Sequence, residues 1–239
     1  MQIEALTFDF WGTLYQNHDA RTERLRALQE TLQRHDRRLS WRDLDAAYTH
    51  ARSVWDQVWR EEFRSISTER WLDELLGYVG VQLPDDAKEG LGRVMEAMYL
   101  RGDEPRPVPG VTQLLPALAG RFRLGLISDT GLTPGRVLRE VMRRDGLLRH
   151  FSVLTFSDEL GTAKPRPEPF LRTLRLLDAR PSEAAHIGDL PETDLRGARE
   201  VGMKAILFLG VSHREDGREL ADGVFADYRE LEPLLERLG

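Results

Sequence analysis

Four short stretches of this 239-residue chain carry side chains that could do chemistry together. Asp9-Phe10-Trp11-Gly12-Thr13 sets a carboxylate just ahead of a glycine turn. Ser128, followed by Asp129, offers a hydroxyl. Lys164 lies within Gly161-Thr162-Ala163-Lys164-Pro165 and supplies a cation. Gly188-Asp189-Leu190-Pro191-Glu192-Thr193-Asp194 adds an acidic cluster. Taken singly, each has a plain reading. An Asp before Gly is a turn residue, a Ser at a strand end caps a helix, Lys164 is a solvated loop lysine, and Asp194 caps the helix after it. Taken in order they amount to a nucleophile, a hydrogen-bond donor, a counter-charge and metal ligands.

These groups need elements to position them, and the sequence predicts which. Ile3 to Phe10 is an apolar run that reads as a buried strand entering a turn. Strands are predicted over Leu124–Ser128, Val153–Phe156, Ala184–Gly188 and Ala205–Leu209. Helices are predicted over Pro134–Arg144, with Thr133 as N-cap, and over Pro167–Leu177 and Asp194–Val201. Tyr228 to Gly239 reads as an amphipathic closing helix. Such alternation predicts an α/β fold, a Rossmann-like parallel sheet covered on both faces. Ligands of such sheets bind beyond the carboxyl ends of the strands, where all four stretches fall.

Residues from about 15 to 105 have another texture, rich in Arg and Glu and helical in spacing. Leu25, Leu28 and Leu32 mark one helix, and Trp41, Leu44, Tyr48, Ala51, Trp55 and Trp59 form a second stripe. Leu72, Leu75, Leu76 and Val79 mark a third, and Leu91, Val94, Met95 and Met98 a fourth. The aromatic stripe could line a pocket, though packing within a bundle is the commoner use of such spacing. Three prolines and two glycines between Gly102 and Gly110 make a stiff connector. The expected organisation is a core of residues 1–14 and 106–239 with an α-helical cap domain, 15–105, inserted after the first strand.

Composition narrows the partners. With no cysteine, thiol nucleophiles, disulfides and thiolate metal sites are excluded, and a reducing, cytoplasmic setting fits. A net charge of −6 gives no general attraction to nucleic acid or anionic lipid. No apolar run has the length of a membrane span, and the N-terminus lacks a signal-peptide pattern.

In motif order and in the position of its helical insertion, the whole chain resembles the haloacid dehalogenase-like hydrolase superfamily, dominated by magnesium-dependent phosphatases. Lysine occurs only at Lys88, Lys164 and Lys204, and Lys164 falls where the family places one. The resemblance implies Asp9 as the nucleophile that takes up the phosphoryl group of a small phosphorylated substrate. It implies Mg2+ held by Asp9, the backbone carbonyl of Trp11, Asp189 and Asp194, with Glu192 a further candidate. Ser128 would donate to a phosphoryl oxygen, Lys164 would neutralise charge, Thr13 would fix the turn, and Trp11 and Asp129 would touch substrate. A monomer or homodimer is expected.

One position departs. The family's phosphatases carry a second aspartate two residues after the nucleophile, a general acid–base. Trp11 stands there instead, and indole exchanges no protons at neutral pH. Three readings follow: a phosphatase with a substitute acid, a 2-haloacid dehalogenase, or a phosphonate-cleaving enzyme. The dehalogenases put an aromatic residue at this position and need no metal, but they carry Ser and Asn where this chain has Gly188-Asp189. Two acids around an empty site repel, whereas a divalent cation offsets that repulsion, so the cluster favours a phosphatase. The phosphonate route requires a cap lysine, and Lys88 sits among solvated residues. Asp129 and His18 are candidate substitute acids. A non-catalytic phosphate-ligand-binding relative is the remaining alternative, disfavoured because a binder has no need of the nucleophile. His186 reads as a buried strand residue rather than a ligand.

Overall fold

The computed structural model describes residues 2–239. Six apolar runs form one parallel sheet: β1 (Ala5–Phe8), β2 (Arg123–Ser128), β3 (Val153–Phe156), β4 (Ala184–Gly188), β5 (Lys204–Phe208) and β6 (Gly223–Phe225), in the order β3-β2-β1-β4-β5-β6. Side chains alternate between its faces, as the period of a strand demands. Leu6 and Phe8 enter a core with α5 (Val111–Ala119), α6 (Gly135–Arg144) and α10 (Leu231–Leu238). Ala5 and Ile127 enter the opposite core, against α8 (Pro167–Leu177) and α9 (Arg196–Glu200). Both faces are therefore dry, which is why the strands read as continuous apolar runs.

The strand order reverses at β1, whose neighbours β2 and β4 lie on opposite sides, and such a switch point opens a crevice at the carboxyl ends. Phe8 pairs with Leu126 of β2 and Ile187 of β4. That register brings Asp9, Ser128 and Asp189 to the same edge.

Between β1 and β2 run α1 (Arg21–Arg34), α2 (Trp41–Gln57), α3 (Thr68–Tyr78) and α4 (Asp85–Glu96). They bury Leu25, Leu28, Leu44, Ala51, Leu72, Leu75 and Met95 in an apolar cluster apart from the two that flank the sheet. After α2 the chain makes one π-helical turn, Val58–Glu62, and turns at Phe63 with φ of 54°. The short α7 (Ser157–Leu160) follows β3. Among the described residues no helix is long and apolar enough to cross a membrane.

Several predicted details differ. Thr133 does not cap α6; its hydroxyl accepts from Arg24, and the carboxylate of Asp158 takes the free amide of Gly135 instead. The predicted helix from Asp194 begins with a π-turn, Pro191–Leu195, before α9. β6 went unpredicted: three residues at a sheet edge carry little pattern. In the aromatic stripe, Leu44, Tyr48 and Ala51 pack inside, Trp41 is exposed, and Trp55 and Trp59 line a cavity.

Candidate active site

Asp9 follows β1 directly, its amide donating to the carbonyl of Ile187 across the sheet at 2.9 Å. The chain then folds back sharply. Leu14 and Tyr15 donate to the carbonyl of Phe10 (3.1 and 2.9 Å), and Gly12 to that of Tyr15 at 2.8 Å. Gly12 has φ of 70°, and a methyl there would overlap the Asp189 carboxylate, so only glycine allows the turn to approach the acidic cluster. The Tyr228 hydroxyl donates to the Thr13 carbonyl at 2.9 Å and pins the turn from beneath.

Lys164 is 2% exposed and lies among acids. Its Nζ donates to Asp9 Oδ1 and Asp194 Oδ1, each at 2.6 Å. Asp194 Oδ1 also contacts His186 Nε2 at 3.1 Å, and Oδ2 accepts from the Leu190 amide at 3.0 Å. Beyond His186 lies the Thr7 hydroxyl, 2.8 Å from Nδ1. His186 is thus a buried strand residue, as expected, and it also orients Asp194. Asp189 shares a hydrogen bond with Ser212 through Oδ2, while its buried Oδ1 has no partner.

Charge explains the titration of these groups. Burial pushes the Asp9 carboxyl well above the usual range; Lys164 opposes the shift, and Asp194 and Asp189 add to it. Burial, with the Asp194 charge, pushes Asp189 up to about 7. Burial would also raise Asp194, but Lys164 and the His186 hydrogen bond outweigh it and hold that carboxyl below its ordinary value. Burial works against the Lys164 ammonium, yet Asp194, Asp9 and Asp129 prevail and hold its pKa above normal. One ammonium cannot balance three buried carboxylates and the half-buried Asp129.

A divalent cation fits that imbalance. Asp9, Asp189 and Asp194 each offer an oxygen within 4.8 Å of the others, and the bare Asp189 Oδ1 is a buried acceptor that would cost stability if left unmet. Asp194 has spent both oxygens on protein donors, so it suits contact through water or the holding of Lys164. Glu192 lies outside the cluster, 3.1 Å from Arg214.

Asp9, Trp11, Asp129, Lys164 and Asp189 line a cavity of about 600 Å³ whose far wall is Tyr48, Trp55, Trp59 and Tyr99 from the helical insertion. Ser128 and Thr13 are buried beside it but not on its wall. The Ser128 hydroxyl makes only a long contact, 3.4 Å to the Asp129 carbonyl, and Thr13 Oγ1 is buried without a partner. Asp129 accepts from the Trp59 indole and the Lys164 amide, both at 3.0 Å, and burial raises its pKa. His18 also faces the cavity, edge-on to the Tyr99 ring. Lys88 is away from it, paired with Asp73 at 2.8 Å. Sequence reasoning missed Ser212 and Arg24. Ser212 lies just beyond β5, a strand end that the same rule of carboxyl edges would have flagged.

A parallel sheet with an acid, an ammonium and an acidic cluster at its switch point defines a hydrolase of the haloacid dehalogenase-like class. The model of that family matches residues 3–202, and the chain belongs to it. It is 31% identical over 174 residues to a phosphoserine phosphatase of Thermus thermophilus, covering 73% of this chain and 66% of the relative. To a glyceraldehyde 3-phosphate phosphatase of Pyrococcus furiosus it is 32% identical over 136 residues, 55% of each chain. The chain thus spans about half to two thirds of these curated relatives. A crystal structure of a 2-haloacid dehalogenase from Pseudomonas syringae pv. Tomato superposes over 100% of both chains, with a TM-score of 0.75 and 27% identity.

Proposed function

We propose that this protein is a magnesium-dependent phosphatase of small phosphomonoesters. The observation that carries the reading is the buried trio Asp9, Asp189 and Asp194 with one oxygen of Asp189 unmet. Asp9, Asp189 and the Trp11 carbonyl would hold the cation, with Asp194 acting through water. Bound there, it supplies positive charge to the phosphoryl oxygens and keeps Asp9 ionised despite its burial.

Asp9 attacks phosphorus and the P–O bond to the ester oxygen breaks, giving an aspartyl phosphate and an alkoxide that takes its proton from solvent. Water then attacks phosphorus, releasing inorganic phosphate and restoring the carboxylate. Lys164, held by Asp9 and Asp194, offsets charge on the transferring group. Ser128 turns its hydroxyl to a phosphoryl oxygen, and Thr13 holds the turn behind the nucleophile. Trp11 and Asp129 border the substrate. Residues 15–105 act as a lid over the carboxyl edge formed by residues 1–14 and 106–239, excluding water during transfer.

The second reading is a 2-haloacid dehalogenase, in which Asp9 displaces halide without metal. Trp11 at the acid position and the likeness to a solved dehalogenase favour it; the uncompensated acids disfavour it. A panel of phosphate esters beside 2-haloacids, assayed with magnesium and with a chelator, decides. Phosphate release that chelation stops is expected. Replacing Asp9 by Asn should abolish both turnover and the phosphorylated protein seen by mass spectrometry. Metal-independent halide release would replace this reading with the second.

A further inference from the structure

Arg24, on α1, is 6% exposed and lines the cavity above Asp9. Its Nε donates to the Met95 carbonyl at 3.2 Å, its Nη2 to the Thr133 hydroxyl at 2.7 Å, and its Nη1 only distantly to the Tyr48 hydroxyl at 3.5 Å. The guanidinium lies 5.4 Å from the Tyr99 ring centre. All these neighbours are neutral, and no carboxylate of the described residues pairs with it. Asp19, an acid on the same cavity wall, is taken by Arg52 at 3.3 Å. A guanidinium always carries its charge, and burying that charge unpaired is expensive.

A second donor stands nearby. Trp55 Nε1 is buried without a partner and lines the same cavity. Its ring lies over Gly131, where a methyl would touch it at 3.5 Å, and so over the loop whose Thr133 holds Arg24. A buried cation lacking an anion and a buried N–H lacking an acceptor thus belong to the same cavity, each beside the loop of residues 131–133.

We infer that Arg24 and Trp55 form a subsite for a carboxylate carried by the substrate, so that the preferred substrates are small phosphomonoesters bearing a carboxylate. The inference rests on the phosphatase reading and narrows it. The fork of a guanidinium suits a planar pair of oxygens, and its single charge matches a carboxylate rather than a second phosphate. Lys164 cannot serve, since Asp9 and Asp194 already hold it.

The test compares 2-phosphoglycolate with ethyl phosphate, which differ by a carboxylate in place of a methyl. With magnesium, kcat/KM for the first should exceed that for the second by about tenfold or more, as a charge-assisted hydrogen bond allows. In Arg24→Met that ratio should fall by about tenfold or more, chiefly through KM, with Arg24→Lys and Trp55→Phe between. A ratio near one in the unaltered protein, or the original ratio kept in Arg24→Met because both esters suffer alike, overturns the subsite. Should Arg24→Met fail to fold, the Arg24→Lys and Trp55→Phe ratios decide alone. Tryptophan fluorescence separates the two readings. Quenching by 2-phosphoglycolate that Arg24→Lys weakens, without hydrolysis of either ester, keeps the carboxylate subsite and sinks only the phosphatase.

Discussion

Trp11 occupies the place of a proton donor and cannot act as one. Its ring packs edge-on to Phe10 at 4.8 Å and tilts against Tyr99 at 5.6 Å, so it is fixed in the cavity wall. Asp129, one of the two candidate substitutes, lines the cavity, but both its oxygens already accept hydrogen bonds. Turnover should therefore depend steeply on the leaving group, with p-nitrophenyl phosphate far faster than alkyl phosphates. Trp11→Asp should raise alkyl-ester turnover by about 10²-fold and flatten that dependence, since general acids contribute on this scale. A plot of log kcat against leaving-group pKa for both proteins checks it, and an unchanged slope refutes it. Asp189 makes a companion case. Asp189→Asn removes one charge and should raise the magnesium concentration for half-maximal activity by about tenfold or more, read by titration of the metal.

At the scale of elements, the turn after β1 is the part most tightly bound to the site. Gly12→Ala would place a methyl into the Asp189 carboxylate as well as force a positive φ on an alanine. The conformational part costs about 1 kcal/mol, a drop of about 2–4 °C in Tm for a chain of this size. Gly146→Ala shares a positive φ, 72°, but meets nothing within 4 Å. Both variants should lose similar conformational stability, while only Gly12→Ala should also weaken magnesium binding, as measured by metal titration beside thermal melts. The same contrast says what could be read in advance. β1, β2 and β4 were legible because buried parallel strands are continuous apolar runs, and their ends carried Asp9, Ser128 and Asp189. The start of the predicted helix at Asp194 was not, because a π-turn and an α-turn bury nearly the same residues. Thr133 had a cap's residue type and a proline after it, yet its hydroxyl was claimed by Arg24, a partner 109 positions away in sequence. His186 looked like a core residue and is one, but only the fold reveals that Asp194 completes its hydrogen bonding.

For the whole molecule, the decisive feature is the seam between the helical insertion and the sheet. The four helices have an apolar cluster of their own, while Met98 and Tyr99 at the end of the insertion join the sheet's cluster, and hydrogen bonds cross beside the cavity. The Ala163 amide donates to the Phe63 carbonyl at 2.7 Å, Ser65 Oγ to the Thr130 carbonyl at 2.6 Å, and the Trp59 indole to Asp129 at 3.0 Å. The hydrogen-bonded part of the seam can open and be rehydrated at modest cost, because each such bond contributes only about 1 kcal/mol net; Met98 and Tyr99 keep the other end of the insertion anchored to the sheet. Opening of the lid should therefore precede global unfolding, and the Ala163 amide, whose acceptor lies across the seam, should report it by hydrogen exchange. Trp59→Phe keeps an aromatic ring against Trp55 but removes the donor, leaving an Asp129 oxygen buried and unmet when the lid is shut. That destabilises the closed form by about 1–3 kcal/mol, so Ala163 exchange should speed up by about tenfold per 1.4 kcal/mol. Amides in the centre of β1 should change far less, because they exchange only when the sheet itself opens. Equal acceleration at Ala163 and in β1 would mean that the insertion and the sheet unfold as one unit, and substrate would then have to enter without movement of the lid.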